Sequence, residues 1–108
     1  MENIVISHIQ HTAPQYQQVM ELRDEILRKP LGLSIKNDDN SRDLIDTIFI
    51  AEYNGKVIGC LLVHPLEDSK VQLRAMAVYN EWQGQSIGKR LVLAAEAYII
   101  EQAYSCII

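Results

Sequence analysis

The stretch of the sequence whose residue types are best suited to binding or catalysis is residues 80–91, NEWQGQSIGKRL. Gly84 and Gly88 stand in a short polar loop, and Lys89 and Arg90 stand in the first turn of a predicted helix. Glycine lets backbone approach a phosphate closely, and a helix N-terminus offers unpaired amides to an anion. Since cations are unfavourable at that end of a helix, a bound anion would offset their cost. The stretch therefore predicts an anion site.

A purely structural interpretation of the same loop stays open. In it, Gly84 allows a tight turn, Gly88 allows close helix packing, and the two basic side chains are solvated. One short glycine pattern does not decide between the two interpretations.

The spacing excludes two common phosphate-binding loops. A P-loop needs Gly-x-x-x-x-Gly-Lys-Ser/Thr. Here Gly84 and Gly88 are one residue too close, and Lys89 is followed by Arg90. A dinucleotide-binding fingerprint follows the first strand of a parallel βαβ unit, whereas this loop follows three predicted antiparallel strands.

Composition limits what can surround the loop. The chain has 108 residues, of which 48% are hydrophobic, and it has no repeat or linker, so a single domain over residues 1–108 is expected. A formal charge of −4 argues against nucleic acid and hints weakly at a cationic substrate. No apolar run approaches the roughly 20 residues of a membrane helix, and no signal peptide is evident, which favours a cytoplasmic protein without membrane contact. Cys60 and Cys106 lie in apolar runs without metal-like spacing, which predicts two buried reduced thiols.

The N-terminal part predicts a strand and a helix. Residues 3–9 alternate in polarity as a strand does. Thr12 and Gln15 have capping-box spacing, and apolar residues then recur at helical spacing, predicting a helix from about Ala13 to Leu27. Residues 31–44 predict a loop with a short helix begun by Asp38 or Asp39.

The middle of the chain predicts an antiparallel meander. Asn54-Gly55 between two apolar runs is typical of a type I′ hairpin. A turn at residues 67–70 leads into a third strand, in which Val71, Leu73, Ala75 and Ala77 share one face. The loop follows, then a helix from Ile87 to about Gln102, then the beginning of a strand in the sequence SCII.

Residues 74–96, RAMAVYNEWQGQSIGKRLVLAAE, resemble the acyl-CoA-binding segment of the GNAT superfamily of N-acetyltransferases. Members of that family carry Gln/Arg-x-x-Gly-x-Gly/Ala after an apolar strand. Gln83 matches the first position and Gly88 the last, while Ser86 stands where the first glycine is expected. The order of predicted elements is similar to the family's first two-thirds, and LRDEILRKPLGL resembles one bacterial subgroup.

The resemblance implies an α/β (α+β) fold with a GNAT-like mixed sheet, in which helices flank a central antiparallel meander and the C-terminal third is missing. It implies that acetyl-CoA binds as cosubstrate, without a metal, and that a small-molecule or peptide amine is acetylated. Backbone amides would hold the pyrophosphate, and the preceding strand would pair with the pantetheine arm. The residues so implied are Gln83, Gly84, Gln85, Ser86, Ile87, Gly88 and Lys89 for the pyrophosphate, and Met76, Ala77 and Val78 for the arm. The unfinished last strand further predicts a homodimer, because an open sheet edge invites pairing with another chain.

No residue is nominated as catalytic. Glu52, Asp68, Glu81 and the three histidines, His8, His11 and His64, are interpreted as solvated, because nothing in the sequence fixes a partner within reach. Arg74 points either to an amine-side cleft or to a surface cross-strand partner. Tyr98 and Tyr104 are interpreted as packing residues, and Trp82 as an anchor of the loop.

Three functions remain open. The chain is an acyl-CoA-dependent N-acetyltransferase, a CoA-binding module without catalysis, or an interaction domain that uses its sheet edge.

Overall fold

A computed structural model describes residues 3–108. The strands are β1 (Ile4–Ile9), β2 (Thr47–Tyr53), β3 (Lys56–Pro65), β4 (Lys70–Val78) and β5 (Cys106–Ile107), and the α-helices are α1 (Tyr16–Arg23) and α2 (Ile87–Glu101). They form one sheet in the order β1-β2-β3-β4-β5. Neighbouring strands are antiparallel except β4 and β5, which are parallel. The predicted α/β mixed sheet with an antiparallel meander is confirmed.

Alternation along the central strands divides the core between two faces. On one face Phe49 and Leu61 pack with Leu91 of α2. On the other face Ile50 and Leu62 pack with Leu22 of α1. Because α1 and α2 cover the two faces of β2 and β3, the sequences of these strands are nearly continuous apolar runs.

The β2–β3 hairpin is closed as the sequence predicts. Asn54 and Gly55 have φ of 51° and 79°, and Tyr53 pairs with Lys56. Positive φ at both central positions is what a type I′ turn requires.

The first helix departs from its prediction at both ends. Its α-helical part begins at Tyr16, and the residue before it, Gln15, makes no side-chain capping bond, so the predicted capping box is wrong. Residues 10–16 form turns instead, in which the Ala13 amide donates to Gln10 O at 3.0 Å. Beyond Arg23 the helix widens into a π-helical turn, Asp24–Arg28.

The loop that follows contains two 3-10 turns, Ile35–Asn37 and Ser41–Leu44, neither of which begins at Asp38 or Asp39. Ser34 caps the first turn, because its hydroxyl accepts from the Lys36 amide at 3.3 Å. Asp38 instead accepts from Arg28 Nε at 2.6 Å. The expectation of a short helix begun by either aspartate is therefore wrong.

The two cysteines differ in their surroundings. Cys60 is fully buried, and burial raises the pKa of its thiol to about 12. Cys106 is exposed, which corrects the prediction of two buried thiols. It lies in β5, which pairs with only the first two residues of β4 and so leaves side chains of β5 in solvent.

Candidate functional site

The loop between β4 and α2 is fixed at its start. Asn80–Trp82 form a 3-10 turn, and the Trp82 ring packs on Tyr53 with 4.9 Å between ring centroids. Trp82 thus contacts the core cluster under α2, in keeping with its interpretation as an anchor. The start of α2 is seated closely on β3, where a Cβ on Gly59 would lie 3.1 Å from Ile87 Cγ2.

Gln83 faces into the loop. Its side-chain amide donates to Val78 O at 3.0 Å and to Asn80 Oδ1 at 3.1 Å, and its backbone amide donates to Asn80 O at 3.2 Å. Gln83 therefore shapes the turn, and its own backbone amide already has an acceptor.

Six consecutive backbone amides follow, from Gly84 to Lys89. Within residues 3–108 none of the six donates to a backbone or side-chain acceptor, and the first helical bond is that from the Arg90 amide to Ser86 O at 3.0 Å. The stretch is mostly exposed. A run of unpaired amides at a helix N-terminus can hold a phosphate.

Two residues give this loop its curvature. Gly84 has φ of 83°, and Ser86, at the N-cap of α2, has φ of 63°. The Ser86 side chain makes no capping bond, so its hydroxyl stays available along with the amides. A left-handed serine costs about 1 kcal/mol or more, a kind of strain that is concentrated at functional sites.

Gly88 lies beside the exposed side chain of Met76. A Cβ on Gly88 would be 3.7 Å from Met76 Sδ, which is an ordinary contact. The amide run and the end of β4 are therefore neighbours.

The two basic residues of the first helical turn behave differently. Arg90 Nη2 donates to Ile4 O at 3.1 Å and so ties α2 to β1. Lys89 is exposed and has no ion-pair partner in the part of the chain that the structure describes. Neither side chain has an ion-pair partner within residues 3–108, and Lys89 is the one whose ammonium makes no hydrogen bond there.

Strand β4 is interrupted by a bulge at Ala75. This residue has φ of 54°, and the pairing with β3 shifts register between Cys60 and Leu62. As a result Leu73 packs on the α2 face, whereas Ala75 and Ala77 pack on the α1 face. The prediction that Leu73, Ala75 and Ala77 share one face is therefore wrong.

Beyond its first residues β4 has one open side. Strand β5 pairs only with Lys70 and Val71, so residues 72–78 have no second neighbouring strand within residues 3–108. Met76 is 48% exposed at this edge, Ala77 is buried and Val78 is half-buried. An extended ligand can add to such an edge through backbone hydrogen bonds.

Two cavities meet at the bulge, and Arg74, Ala75 and Met76 line both. One, of about 200 Å³, is otherwise lined by the apolar side chains Leu61, Leu73 and Val92. The other, of about 480 Å³, is otherwise lined by Arg23, Leu27, Arg28 and Arg42. We call the second one the arginine cavity.

A buried ion network lies behind the arginine cavity. Asp43 accepts from Arg23 Nη1 at 2.7 Å and from Arg74 Nη1 at 2.9 Å. Arg74 also bonds Asp46 at 2.5 Å, and Asp46 bonds His64 Nδ1 at 2.5 Å. Both carboxylates are 0% exposed. Arg74 is therefore not held by a surface cross-strand pair; it joins a buried network and lines both cavities.

Tyr16 completes the network, because its hydroxyl donates to Asp43 Oδ2 at 2.5 Å. Burial, together with this carboxylate, raises the pKa of Tyr16 to about 12. For Asp43, burial acts to raise the pKa, but the hydrogen bonds from Tyr16, Arg74 and Arg23 outweigh it and hold the pKa below its ordinary value. Asp43 is thus held as an anion that bonds two guanidinium groups, those of Arg23 and Arg74.

One feature of the sequence indicates a buried ion pair in this region. Arg23 lies on the apolar stripe of the first helix, between Val19 and Ile26. A charged residue on such a stripe is buried only with a partner. Its partner is 20 residues away, and a single sequence does not identify it.

The remaining candidates fall outside both cavities. His64 is bound to Asp46, the His8 ring contacts the rings of Phe49 and Tyr98 at tilted angles, and His11 Nδ1 is buried, so the three histidines are not simply solvated as predicted. Glu52 is half-buried, and Asp68 and Glu81 are exposed. Tyr98 and Tyr104 pack on the core cluster under α2, as expected.

Two negative findings apply to residues 3–108. No three His, Cys, Asp or Glu side chains among them lie together in a way that could hold a metal ion. None of the helices described is long and apolar enough to cross a bilayer.

Comparison with known families and relatives gives consistent results. The family model for the GNAT acetyltransferase family matches residues 10–108. An uncharacterized N-acetyltransferase of Chlorobaculum tepidum is 33% identical over 72 residues, which are 66% of this chain and 46% of that protein. The match thus spans less than half the length of the curated relative.

Solved structures share the fold. An aminoglycoside acetyltransferase from an uncultured soil metagenomic sample has a TM-score of 0.77 and 22% identity, covering 97% of this chain and 75% of that one. A GNAT family acetyltransferase from Elizabethkingia anophelis with acetyl-CoA bound has a TM-score of 0.71 and 22% identity, covering 99% of this chain and 65% of that one.

Proposed function

Because the chain belongs to the GNAT acetyltransferase family, we propose that it binds acetyl-CoA and transfers the acetyl group to a primary amine. The observation that carries the proposal is the run of six unpaired amides from Gly84 to Lys89, beside the open edge of β4. Two features that a bound acyl-CoA needs, an anion cradle and a strand edge, thus lie together.

The pyrophosphate is assigned to the amides of residues 84–89, with Lys89 supplying a positive charge. The hydroxyl of Ser86 is free to add a hydrogen bond to a phosphate oxygen. Of the seven residues that the family resemblance implies for the pyrophosphate, Gln83 is assigned to shaping the loop instead.

The pantetheine arm is assigned to the edge of β4 at Met76, Ala77 and Val78. The bulge at Ala75 interrupts the pairing of β4 with β3, which resumes at Ala77, and Ala75 and Met76 line the apolar cavity there. The thioester would then lie near Ala75 and Met76, where the two cavities meet.

In the reaction the amine nitrogen attacks the thioester carbonyl carbon, a tetrahedral intermediate forms, and the carbon–sulfur bond breaks to release CoA. A strand amide polarises the carbonyl, and the protein's main contribution is to hold donor and amine together. The attacking neutral amine loses one proton, and the departing CoA thiolate gains one. Arginines are the ionisable groups that line the two cavities within residues 3–108, and they do not accept a proton, so we assign to solvent both the removal of the amine proton and the protonation of the thiolate.

The absence of a protein base among those lining residues also favours a second candidate, a CoA-binding module without catalysis. The predicted homodimer and cytoplasmic location stay predictions, and sedimentation of the purified chain tests the first.

Aminoglycosides, named for one structural neighbour, are polycations, and a cavity lined by four arginines disfavours them as substrates of this chain.

Calorimetric titration and a thiol-release assay test the proposal. We expect acetyl-CoA to bind with a micromolar Kd and an amine to accelerate release of the free CoA thiol. Binding without release for any amine of a broad panel would favour the non-catalytic module. No binding at millimolar acetyl-CoA would overturn both functions.

A further inference from the structure

The arginine cavity carries more positive charge than a structural network needs. Arg23 and Arg74 share Asp43, Arg74 also reaches Asp46, and Arg28 pairs with Asp38 at 2.6 Å. Four arginines are thus matched by three carboxylates. Arg42 is the guanidinium left over, because within residues 3–108 its hydrogen-bond partner is the neutral side chain of Gln72.

The carboxylates Asp43 and Asp46 are also separated in space from the cavity that the guanidinium groups line. Asp43 and Asp46 are 0% exposed, and neither lines the cavity, so they lie behind the guanidinium groups. The cavity wall therefore presents positive charge, with Leu27, Ala75 and Met76 as its apolar part.

One polar group in this wall lacks a partner. Arg23 is 2% exposed, and its Nε finds no acceptor among residues 3–108, although its Nη1 is bound to Asp43. A buried donor without an acceptor is costly and rare in folded proteins. Arg23 lines the cavity, so an oxyanion bound at the buried end of the cavity is a candidate acceptor for this Nε–H.

The arginine cavity lies next to the place assigned to the thioester. The cavity shares Ala75 and Met76 with the apolar cavity, so it opens beside the place assigned above to the thioester. The arginine cavity lies on the sheet face that α1 covers, on which Ala75 also packs. The apolar cavity is instead lined in part by Val92 of α2.

We propose that the acceptor is a primary amine that also carries an oxyanion, a carboxylate or a phosphate, and that the arginine cavity binds this oxyanion. The proposal rests on the acetyl transfer proposed above. Guanidinium groups bind carboxylate and phosphate through paired charge-assisted hydrogen bonds, and either oxyanion fits the wall. Arg42 and Arg28 face it from the rim, and Arg23 from the buried end.

Matched acceptor pairs test the proposal in the acetyl-CoA-saturated chain. γ-Aminobutyrate is compared with n-butylamine for the carboxylate, and O-phosphoethanolamine with ethanolamine for the phosphate. We expect kcat/KM to be at least about tenfold higher for the anionic member of one pair, chiefly through KM, since hydrogen bonds to charged groups have about this effect. The pair with the larger ratio identifies the oxyanion.

Arg42→Gln should reduce that preference about tenfold by raising KM, and Arg42→Lys should restore part of it. Lys36→Gln is the matched control, because it removes one positive charge from an exposed residue that lines a different cavity. Equal loss of preference in Arg42→Gln and Lys36→Gln would overturn the proposal.

A second readout separates this proposal from the transfer reaction. The Arg23 Nε–H resonance should shift on addition of γ-aminobutyrate or O-phosphoethanolamine and stay in place with n-butylamine. A shift without turnover would support the oxyanion site and contradict acetyl transfer. Turnover with no preference and no shift would support acetyl transfer and overturn the oxyanion site. A shift with n-butylamine but with neither anionic amine would also overturn the oxyanion site.

Discussion

Gly88→Asp is expected to abolish acetyl-CoA binding while leaving the fold intact. The new carboxylate would lie among the unpaired amides from Gly84 to Lys89, where it takes the place of the pyrophosphate and repels it. Two like charges about 4 Å apart repel by about 1 kcal/mol in water and about 4 kcal/mol near a protein surface. With more than one charge on the pyrophosphate, we expect an affinity loss of about 100-fold or more, measured by calorimetry.

The same change should not damage the protein. A Cβ on Gly88 meets Met76 Sδ at 3.7 Å, which needs no displacement. An acidic residue in the first turn of a helix is favourable, and Asp is a better helix former than Gly, so the melting temperature should stay equal or rise. Loss of binding with a raised melting temperature is a combination that simple misfolding does not produce.

Two controls isolate the charge at this position. Gly88→Asn adds the same bulk without charge and should lose less affinity than Gly88→Asp. Ala97→Asp adds the same charge on an exposed part of α2 away from the loop and should bind acetyl-CoA as the unmodified chain does. If Gly88→Asp kept its affinity, the assignment of the pyrophosphate to these amides would be wrong.

Asp43→Ala is expected to destabilise the fold strongly. It would leave Arg23 buried without its carboxylate and remove one of the two carboxylates of Arg74. Removing one partner of a buried ion pair costs about 3–5 kcal/mol. We expect the free energy of unfolding at neutral pH to fall by about that amount in urea denaturation.

The exposed carboxylate of Glu96 provides the control, and Glu96→Ala should change the free energy of unfolding by about 0.5 kcal/mol or less. Equal effects of the two substitutions would contradict the ion network.

Acid provides an independent check on Asp43. Because its folded-state pKa is lowered, its contribution to stability is present above the ordinary Asp pKa and is lost as the pH falls through the lowered value. The unmodified chain should therefore lose stability in that acidic window, and Asp43→Ala should lose less. Parallel acid profiles of the two proteins would show that Asp43 is not held as an anion.

The sheet could be predicted because its signals are local. Alternation indicated β1 and β4, and two apolar runs around Asn54-Gly55 indicated the β2–β3 hairpin, since few residues accept the positive φ that a type I′ turn needs. The boundaries of α1 were predicted less well, because a capping-box spacing occurs at Thr12 and Gln15 without the bonds. The bulge at Ala75 could not be predicted, because alternation in polarity continues through it while the backbone changes face.

The loop could be predicted from sequence and the arginine cavity could not, again because the signals of the loop are local. Residues 84–89 are consecutive, so sequence could locate the amide run, although not the inward turn of Gln83. The cavity joins Arg23, Arg42 and Arg74 from separate elements. Such long-range contacts leave no spacing in one sequence, and Arg23 on an apolar stripe was the one available sign.

The central claim is that the backbone amides of residues 84–89 hold the pyrophosphate of acetyl-CoA, and an NMR titration of the ¹⁵N-labelled chain with acetyl-CoA tests it most directly. The largest amide shifts are predicted at Gly84 to Lys89, followed by Met76, Ala77 and Val78 on the open edge of β4. They should be absent in Gly88→Asp and present in Ala97→Asp. Saturating acetyl-CoA that shifts amides elsewhere and leaves residues 84–89 unchanged would contradict the claim.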